Sequence, residues 1–332
     1  MAPDWSKLKD VILQHESFLI TTHVRPDADA LGSELGLAAI LKAFDREVHI
    51  INATAPPSNL HFLNPEGVIR KLDADSRKAE LPKTDVQVIV DTSAWHQLGA
   101  MAEVVQRRGG RRVVIDHHVS SSDLGALEFK DVTSPATGEL IYNAARALGV
   151  EFDAATASAV YAAIATDTGW FRFPSTGADT MRVGGALIDW GAEPDRLYHL
   201  LYEQNSHARI RLGARVMERT IVECDGRLAW IQTTAKDFSD TGAVPSDTES
   251  LVNQCLTISG TEAAFIAVQL PSGVNKFSLR CREPHDVAEL AEQFGGGGHK
   301  LASGATVSGD FDKAVDSVRR AFCSMLDSAH NV

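Results

Sequence analysis

The sequence predicts an α/β protein: an N-terminal domain built on a parallel sheet, joined by a helical connection to a smaller α/β domain. Three observations predict it. The first half alternates short apolar, β-branched runs with Ala-rich segments of helical spacing, the pattern of a sheet with helices on both faces. From Gly191 that alternation gives way to a pair of polar helices without a strand. The chain of 332 residues is also longer than one ordinary core needs. The boundaries expected are 1–190 for the first domain, 191–220 for the helical linker and 221–330 for the second domain.

Taken in order, Phe18 to Thr22 reads as a strand, Ala28 to Phe44 as a helix and Val48 to Asn52 as a second strand. Val86 to Val90 and Arg112 to Ile115 are continuous β-branched runs, as expected of parallel strands buried on both faces. Thr137 to Leu148 and Ala154 to Thr166 read as helices. The second domain opens on a hairpin, Ile221 to Cys224 and Leu228 to Gln232, around the turn pair Asp225-Gly226. A helix (Thr248 to Thr257), two strands (Ala263 to Leu270 and Lys276 to Cys281) and a helix (Val287 to Phe294) follow. A run of four glycines, a short strand and an amphipathic helix from Phe311 to Met325 complete it.

Composition narrows the function. No apolar stretch is long enough for a membrane span, and residues Met1 to Glu16 lack the layout of a signal peptide, so a cytoplasmic protein is expected. Cys224, Cys255, Cys281 and Cys323 form no CxxC pair and are expected to be buried, reduced thiols. A net charge of −12 argues against gripping long duplexes through the whole surface. A short anionic substrate fits, if metal ions and a few local cations supply the positive field.

Acids and histidines recur where strands end. The first strand runs into His23, Asp27 and Asp29; Val86 to Val90 runs into Asp91; Arg112 to Ile115 runs into Asp116, His117 and His118; Asp167 follows a helix. In an open parallel sheet the carboxyl ends of the strands converge on one crevice, which makes a metal site there the natural expectation. Singly, each residue has an ordinary explanation; Asp29 alone reads as a helix N-cap. Jointly they offer more ligands than one ion needs, which points to two ions sharing a carboxylate. Imidazole and carboxylate without thiolate suit Mn²⁺ better than structural zinc, and the chemistry expected is hydrolysis of a phosphate ester.

In the second domain Gly295 to Gly298 precede His299 and Lys300, with Arg280 and Arg282 nearby in sequence. Consecutive glycines let backbone amides approach an anion, and an arginine can clamp a phosphate with two parallel hydrogen bonds.

The segments Thr22-His23-Val24-Arg25-Pro26-Asp27-Ala28-Asp29, Val90-Asp91-Thr92-Ser93, Asp116-His117-His118 and Asp167-Thr168-Gly169 resemble the four signature motifs of the DHH phosphoesterases, in order. Ser278-Leu279-Arg280 and the Gly295-to-His299 loop resemble the DHH-associated domain that follows in one branch of that family. The resemblance implies a dimanganese centre, with His23, Asp27, Asp91 and Asp167 on one ion and Asp29, Asp91, His117 and Asp167 on the other. It implies that Asp116 orients ligands, that His118 faces the scissile phosphate, and that Arg280, Gly296, Gly297, Gly298 and His299 hold the far end of the substrate.

A two-domain chain resembles the enzymes that shorten oligoribonucleotides of a few residues (nanoRNases) and dephosphorylate 3′-phosphoadenosine 5′-phosphate (pAp). The larger exonucleases and the membrane-bound cyclic-dinucleotide phosphodiesterases carry further domains. The partner expected is therefore a short single-stranded RNA or a nucleotide, with a homodimer the expected assembly and no other protein partner signalled. Three rivals are weighed against this reading. A soluble phosphodiesterase of linear or cyclic dinucleotides would use the same ligands. A manganese pyrophosphatase is disfavoured by the glycine–histidine loop, and a non-catalytic nucleotide-binding regulator by the complete ligand set.

Overall fold

The computed structural model describes residues 3–72, 81–270 and 272–328. They divide into two units, Met1–Gln204 and Asn205–Val332.

In the first unit the continuous apolar runs pair as parallel strands. Helix α1 (Trp5–Gln14) leads into β1 (Ser17–Thr21), α2 (Ala28–Ala43), β2 (Glu47–Asn52), β3 (Ile69–Lys71) and β4 (Val86–Val90). Then come α3 (Ala100–Arg108), β5 (Arg111–Asp116), β6 (Leu127–Lys130), α4 (Thr137–Leu148), α5 (Ala154–Asp167), α6 (Ala178–Asp189) and α7 (Pro194–Tyr202). The strand order is β3-β2-β1-β4-β5-β6, and every neighbouring pair is parallel. The order reverses between β1 and β4, so the loops leaving these two strands part in opposite directions and open a crevice beyond their carboxyl ends.

Strand residues alternate between the two faces. Phe18 and Ile20 join the larger core with side chains of α1, α2, α4 and α5, while Leu19, Ile89 and Val114 join Met101 and Val105 of α3. Buried on both faces, these strands need the unbroken apolar runs that the sequence shows.

Small residues set how closely α2 and α5 pack. A Cβ at Gly32 would fall inside the van der Waals shell of the Ala159 carbonyl oxygen and 2.9 Å from Ala163 Cβ. The Ala-rich stretch of α5 is therefore part of the contact as well as a helix former. Asp27 caps α2, accepting a hydrogen bond from Ala30 N at 3.0 Å, and Asp153 caps α5 through Thr156 N at 2.8 Å. Asp29, read alone as a cap, instead lies inside the first turn of α2 with its side chain buried.

The second unit begins with α8 (His207–Glu218), β7 (Ile221–Glu223) and β8 (Leu228–Thr233), followed by α9 (Ala235–Thr241) and α10 (Leu251–Cys255). It continues through β9 (Ala263–Gln269), β10 (Asn275–Cys281), α11 (Val287–Glu292), β11 (Gly297–His299), β12 (Ala302–Val307) and α12 (Phe311–Ser328). Its sheet runs β11-β12-β10-β9-β8-β7, with β8 and β9 parallel and the other neighbours antiparallel. Phe265, Phe277 and Leu279 pack with α11 and α12 on one face, while Ile231, Ala264 and Ile266 pack with α8, α9 and α10 on the other.

Two sequence expectations change here. The helix expected over Thr248 to Thr257 is shortened to α10, because a 3-10 turn ends at Thr248 and Ser250 takes a left-handed φ of 68°. Of the four cysteines expected to be reduced, Cys255 and Cys281 are buried free thiols, but Cys224 and Cys323 form a disulfide. The turn after β7 and the last helix bring this pair together across a sequence separation of 99 residues, which no spacing rule registers.

The packing generates a paired test. Gly32→Ala should destabilise the protein by about 1–3 kcal/mol, the range for forcing atoms into a packed core. Gly185→Ala, on α6 with nothing near its new methyl, should gain about 0.5–1 kcal/mol from helix propensity. Urea unfolding of both variants measures the two signs.

Candidate metal centre

The carboxyl edge of the first sheet collects side chains from β1, α2, β4, β5 and α5. Leaving β1, His23 places Nε2 3.3 Å from Asp91 Oδ2 and 3.9 Å from Asp27 Oδ1. Leaving β5, His117 places Nε2 3.3 Å from Asp167 Oδ2, 3.7 Å from Asp29 Oδ2 and 3.7 Å from Asp91 Oδ1. Three overlapping ligand groups result, His23–Asp27–Asp91, Asp29–His117–Asp167 and Asp91–His117–His118. Asp91 turns one oxygen to His23 and the other to His117, the disposition of a bridging carboxylate. Asp167 stands with Asp29 and His117, the second of the two sets that the sequence reading gave it.

Both imidazoles are oriented by backbone carbonyls. His23 Nδ1 lies 3.0 Å from Val24 O and His117 Nδ1 3.1 Å from Ser134 O. A carbonyl only accepts, so each Nδ1 carries the proton, and in the neutral ring each Nε2 keeps a lone pair facing carboxylates. His117 Nε2 is buried and has no hydrogen-bond partner among the described residues. A bare ring nitrogen facing acids, with its other nitrogen on a carbonyl, is the arrangement of a metal-ligating histidine.

Charge makes the same case. Asp91 is 2% and Asp29 1% exposed. Burial first, and then their acidic neighbours, push both carboxyls well above the usual range. Asp167 is raised to about 6, by burial and then by Asp27. It is also the last residue of α5, where the negative end of the helix dipole disfavours a carboxylate. The hydrogen bonds that hold these acids favour charge nonetheless. Asp29 accepts from Thr137 N and Gly138 N, each at 2.8 Å, at the positive start of α4, and Asp91 accepts from Thr137 Oγ1 at 2.8 Å. Acids pre-bonded as anions yet crowded together fit a bound cation.

Asp116 plays a different part. Fully buried, it bonds His118 Nδ1 at 2.9 Å and His118 N at 3.0 Å. Its other oxygen lies 2.7 Å from Ser93 Oγ and 3.4 Å from Lys130 Nζ. Burial works to raise this carboxyl, but the hydrogen bonds from His118 and Ser93 outweigh it and leave it below the usual range. In return, the hydrogen bond to Asp116 raises the His118 imidazole. His118, 40% exposed, is thus held by Nδ1, with Nε2 left for a ligand.

In the second unit, Arg280 pairs across strands with Ala302, and Ala302 with His299. Directly opposed residues share a sheet face, so Arg280 and His299 stand on one face, beside the bare row Ser278–Gly304–Gly297. Gly297 and Gly298 belong to edge strand β11, and Gly296 leads into it. Lys300 is paired with Glu283 at 2.7 Å. Arg282 does not join Arg280 in a clamp; its guanidinium donates to Leu256 O at 2.7 Å and Thr261 O at 3.3 Å.

Sequence reasoning missed Thr137, Gly138, Ser134 and Asn52. Asn52 Oδ1 accepts from Thr22 N at 3.2 Å, its amide donates to Glu34 at 2.9 Å, and Thr22 Oγ1 donates to Val90 O at 2.8 Å. This lacing ties together the ends of β2, β1 and β4. The one available signal was Pro135-Ala136-Thr137-Gly138, small and hydroxylic residues opening a helix.

Residues 17–164 match the DHH family, N-terminal domain, and residues 231–324 match the DHHA1 domain. The bifunctional oligoribonuclease and PAP phosphatase NrnA of Thermus thermophilus is 32% identical over 93% of this chain and 90% of its own length. The Bacillus subtilis protein of the same name is 27% identical over 91% and 93%. The crystal structure of an exopolyphosphatase-related protein from Bacteroides fragilis superposes with a TM-score of 0.88 at 27% identity, covering 96% of this chain and 94% of that one. Among the described residues no helix is long and apolar enough to cross a membrane.

The electrostatics predict a pH signature in metal-free protein. Asp167 is raised when folded, so its contribution is fully present below the unfolded carboxyl pKa near ~4 and is lost as pH rises through about 6. In the presence of chelator, Asp167→Asn should melt a few degrees higher than the native chain at pH 7, and the difference should vanish by pH 4. Added Mn²⁺ should raise the native melting temperature and reverse the ranking; calorimetric scans at both pH values measure it.

Proposed function

Because the chain belongs to the DHH family of phosphoesterases, whose members depend on metal, we propose that it hydrolyses short oligoribonucleotides to mononucleotides and pAp to AMP. The observation that carries this reading is the convergence of two imidazole nitrogens and three carboxylates, those of Asp27, Asp29 and Asp167, around Asp91, with His118 beside them. The NrnA relatives, matched along nearly their whole length, support the substrate class. The proposal places the enzyme in the cytoplasm.

His23, Asp27 and Asp91 would hold one divalent ion, and Asp29, His117 and Asp167 the other, with Asp91 shared. Their nitrogen and oxygen donors suit Mn²⁺. Bound there, the ions would supply a Lewis-acidic field that lowers the pKa of water and neutralises charge building on the phosphate.

The chain's own side chains do the rest. Asp116 holds the His118 ring and raises its basicity, which suits Nε2 to donate a proton to a phosphate oxygen or to the leaving oxygen. Asp116 is the positioning residue and His118 the group that meets substrate. Thr137 and the first amides of α4 hold Asp29 and Asp91 in place and favour their charged forms. Arg280, His299 and the glycines 296–298 bind the remote phosphate or nucleotide end, with Arg280 supplying charge beside a strip of sheet that bears no bulk.

The test is hydrolysis by purified protein with Mn²⁺, comparing RNA dimers, pAp, a cyclic dinucleotide, pyrophosphate and a long single strand. Rapid cleavage of RNA dimers and pAp, with the long strand spared, is expected; preference for the cyclic dinucleotide or pyrophosphate would overturn the substrate assignment. His118→Asn should lower kcat by about 10²–10⁴-fold, the worth of a positioned acid, without weakening Mn²⁺ binding. Arg280→Ala should raise KM by roughly 10–100-fold, the worth of a charged hydrogen bond, with kcat little changed; steady-state kinetics separates the two.

A further inference from the structure

Just beyond Asp167 of the metal centre, three successive residues take left-handed backbone: Gly169 at φ 56°, Trp170 at 62° and Phe171 at 60°. Glycine adopts that region freely. Bulky residues rarely do, and such conformations persist only where their surroundings over-determine them. Thr168 provides those surroundings. Its hydroxyl accepts from Phe171 N at 3.0 Å, and its carbonyl accepts from Arg172 N at 3.1 Å and Phe173 N at 3.0 Å. The Phe171 ring packs against Tyr161, with centroids 5.4 Å apart, whereas Arg172 and Phe173 stay exposed. Core packing accounts for Phe171 and for neither of the two residues after it.

Those two are nevertheless held in a defined arrangement. Arg172 Nε donates to Gly169 O at 2.9 Å, and the guanidinium carbon lies 5.4 Å from the centroid of the Phe173 ring. The ring rests on Gly169, so closely that a Cβ there would overlap it. Gly169 is two peptide steps from Asp167, at most ~7.6 Å between Cα atoms, so the pair stands within a nucleotide's reach of the metal centre. Arg182 and Arg196, on the helices that follow, pair with Asp179 and Glu193. Arg172 forms no ion pair with a carboxylate among the described residues, and only its Nε makes a hydrogen bond there. Phe173 is 44% exposed, and the other exposed Phe, Tyr and Trp side chains among the described residues, Tyr198 and Tyr202, pack on Trp170 beside it in the chain. A guanidinium plane and an aromatic ring, both open to solvent and with charge uncompensated, suit a flat ligand that carries phosphate.

We propose that Arg172 and Phe173 form the seat for the base of the nucleotide being cleaved, a stacking surface that makes the centre prefer nucleotides to bare phosphates. The proposal rests on the reading of the centre as a nucleotide phosphoesterase. Every base has a flat face that can stack on an aromatic ring or a guanidinium plane, which suits an enzyme that accepts short RNA of any sequence.

The test compares pAp with 1-deoxyribofuranose 3,5-bisphosphate, which carries both phosphates and no base, using the full-length protein with Mn²⁺. The native chain should favour pAp in kcat/KM by about 5–150-fold, the worth of one stacked base, mainly through KM. Phe173→Ala should bring that ratio close to one, and Phe173→Tyr, which keeps the ring, should preserve it. Arg172→Lys, which keeps the charge and loses the plane, should lower it severalfold. Equal use of both compounds by the native chain, or a native ratio in Phe173→Ala, would overturn the proposal. So would losses in Phe173→Ala and Arg172→Lys that fall alike on both compounds, the mark of a phosphate contact or of local structure. A Phe173→Ala chain that keeps the ratio but loses self-association in sedimentation would overturn it in favour of a contact between copies. Cleavage of pyrophosphate with neither bisphosphate touched is a separate result, which removes the nucleotide reading of the centre and the seat with it.

Discussion

Asp91 directly follows a central strand, with its side chain 2% exposed and its backbone at φ 60°, a left-handed conformation that costs a residue with a side chain about 1–3 kcal/mol. Extended backbone would carry the chain onward along the strand direction. The left-handed turn instead leaves the carboxylate between His23 and His117, one oxygen toward each. A buried anion among other anions persists only if something positive joins it. Much of the first unit is arranged so that this can happen: the reversal of strand order beside Asp91, the start of α4 that donates to it, and two histidines whose tautomers are set by carbonyls.

That arrangement also explains why helix ends matter here. Asp27 and Asp29 sit where α2 begins, Thr137 and Gly138 where α4 begins, and Asp167 where α5 ends. Positive helix starts steady acids as anions, and the negative end of α5 sets Asp167 against its surroundings. Gly138 belongs to this geometry: a side chain there would place Cβ 3.3 Å from Asp29 Oδ1 and 2.7 Å from Ala163 Cβ. The same close packing that joins α2, α4 and α5 thus brings an amide within reach of a ligand carboxylate.

Much of this was legible in the residues. The strands of the first unit announce themselves because parallel strands buried on both faces must be continuously apolar, and the acids stand out because each follows such a run directly. The short edge strands β3 and β6, and the helices α3 and α6, carry weaker patterns and emerge only with their neighbours in place. What holds the site was harder to read. Ser134 acts through its carbonyl and Gly138 through its amide, groups that every residue carries, while Thr137 and Asn52 are ordinary polar residues until packing brings them to β1 and β4. The Cys224–Cys323 bond and the diversion of Arg282 to carbonyls are likewise consequences of tertiary neighbours.

The most direct test of the account is an anomalous-scattering crystal structure of the Mn²⁺-loaded protein. The account requires two manganese peaks flanking Asp91, roughly 3.5–4 Å apart, one coordinated by His23 Nε2 and the other by His117 Nε2. A single peak, or peaks that leave Asp91 without a metal contact, would contradict it.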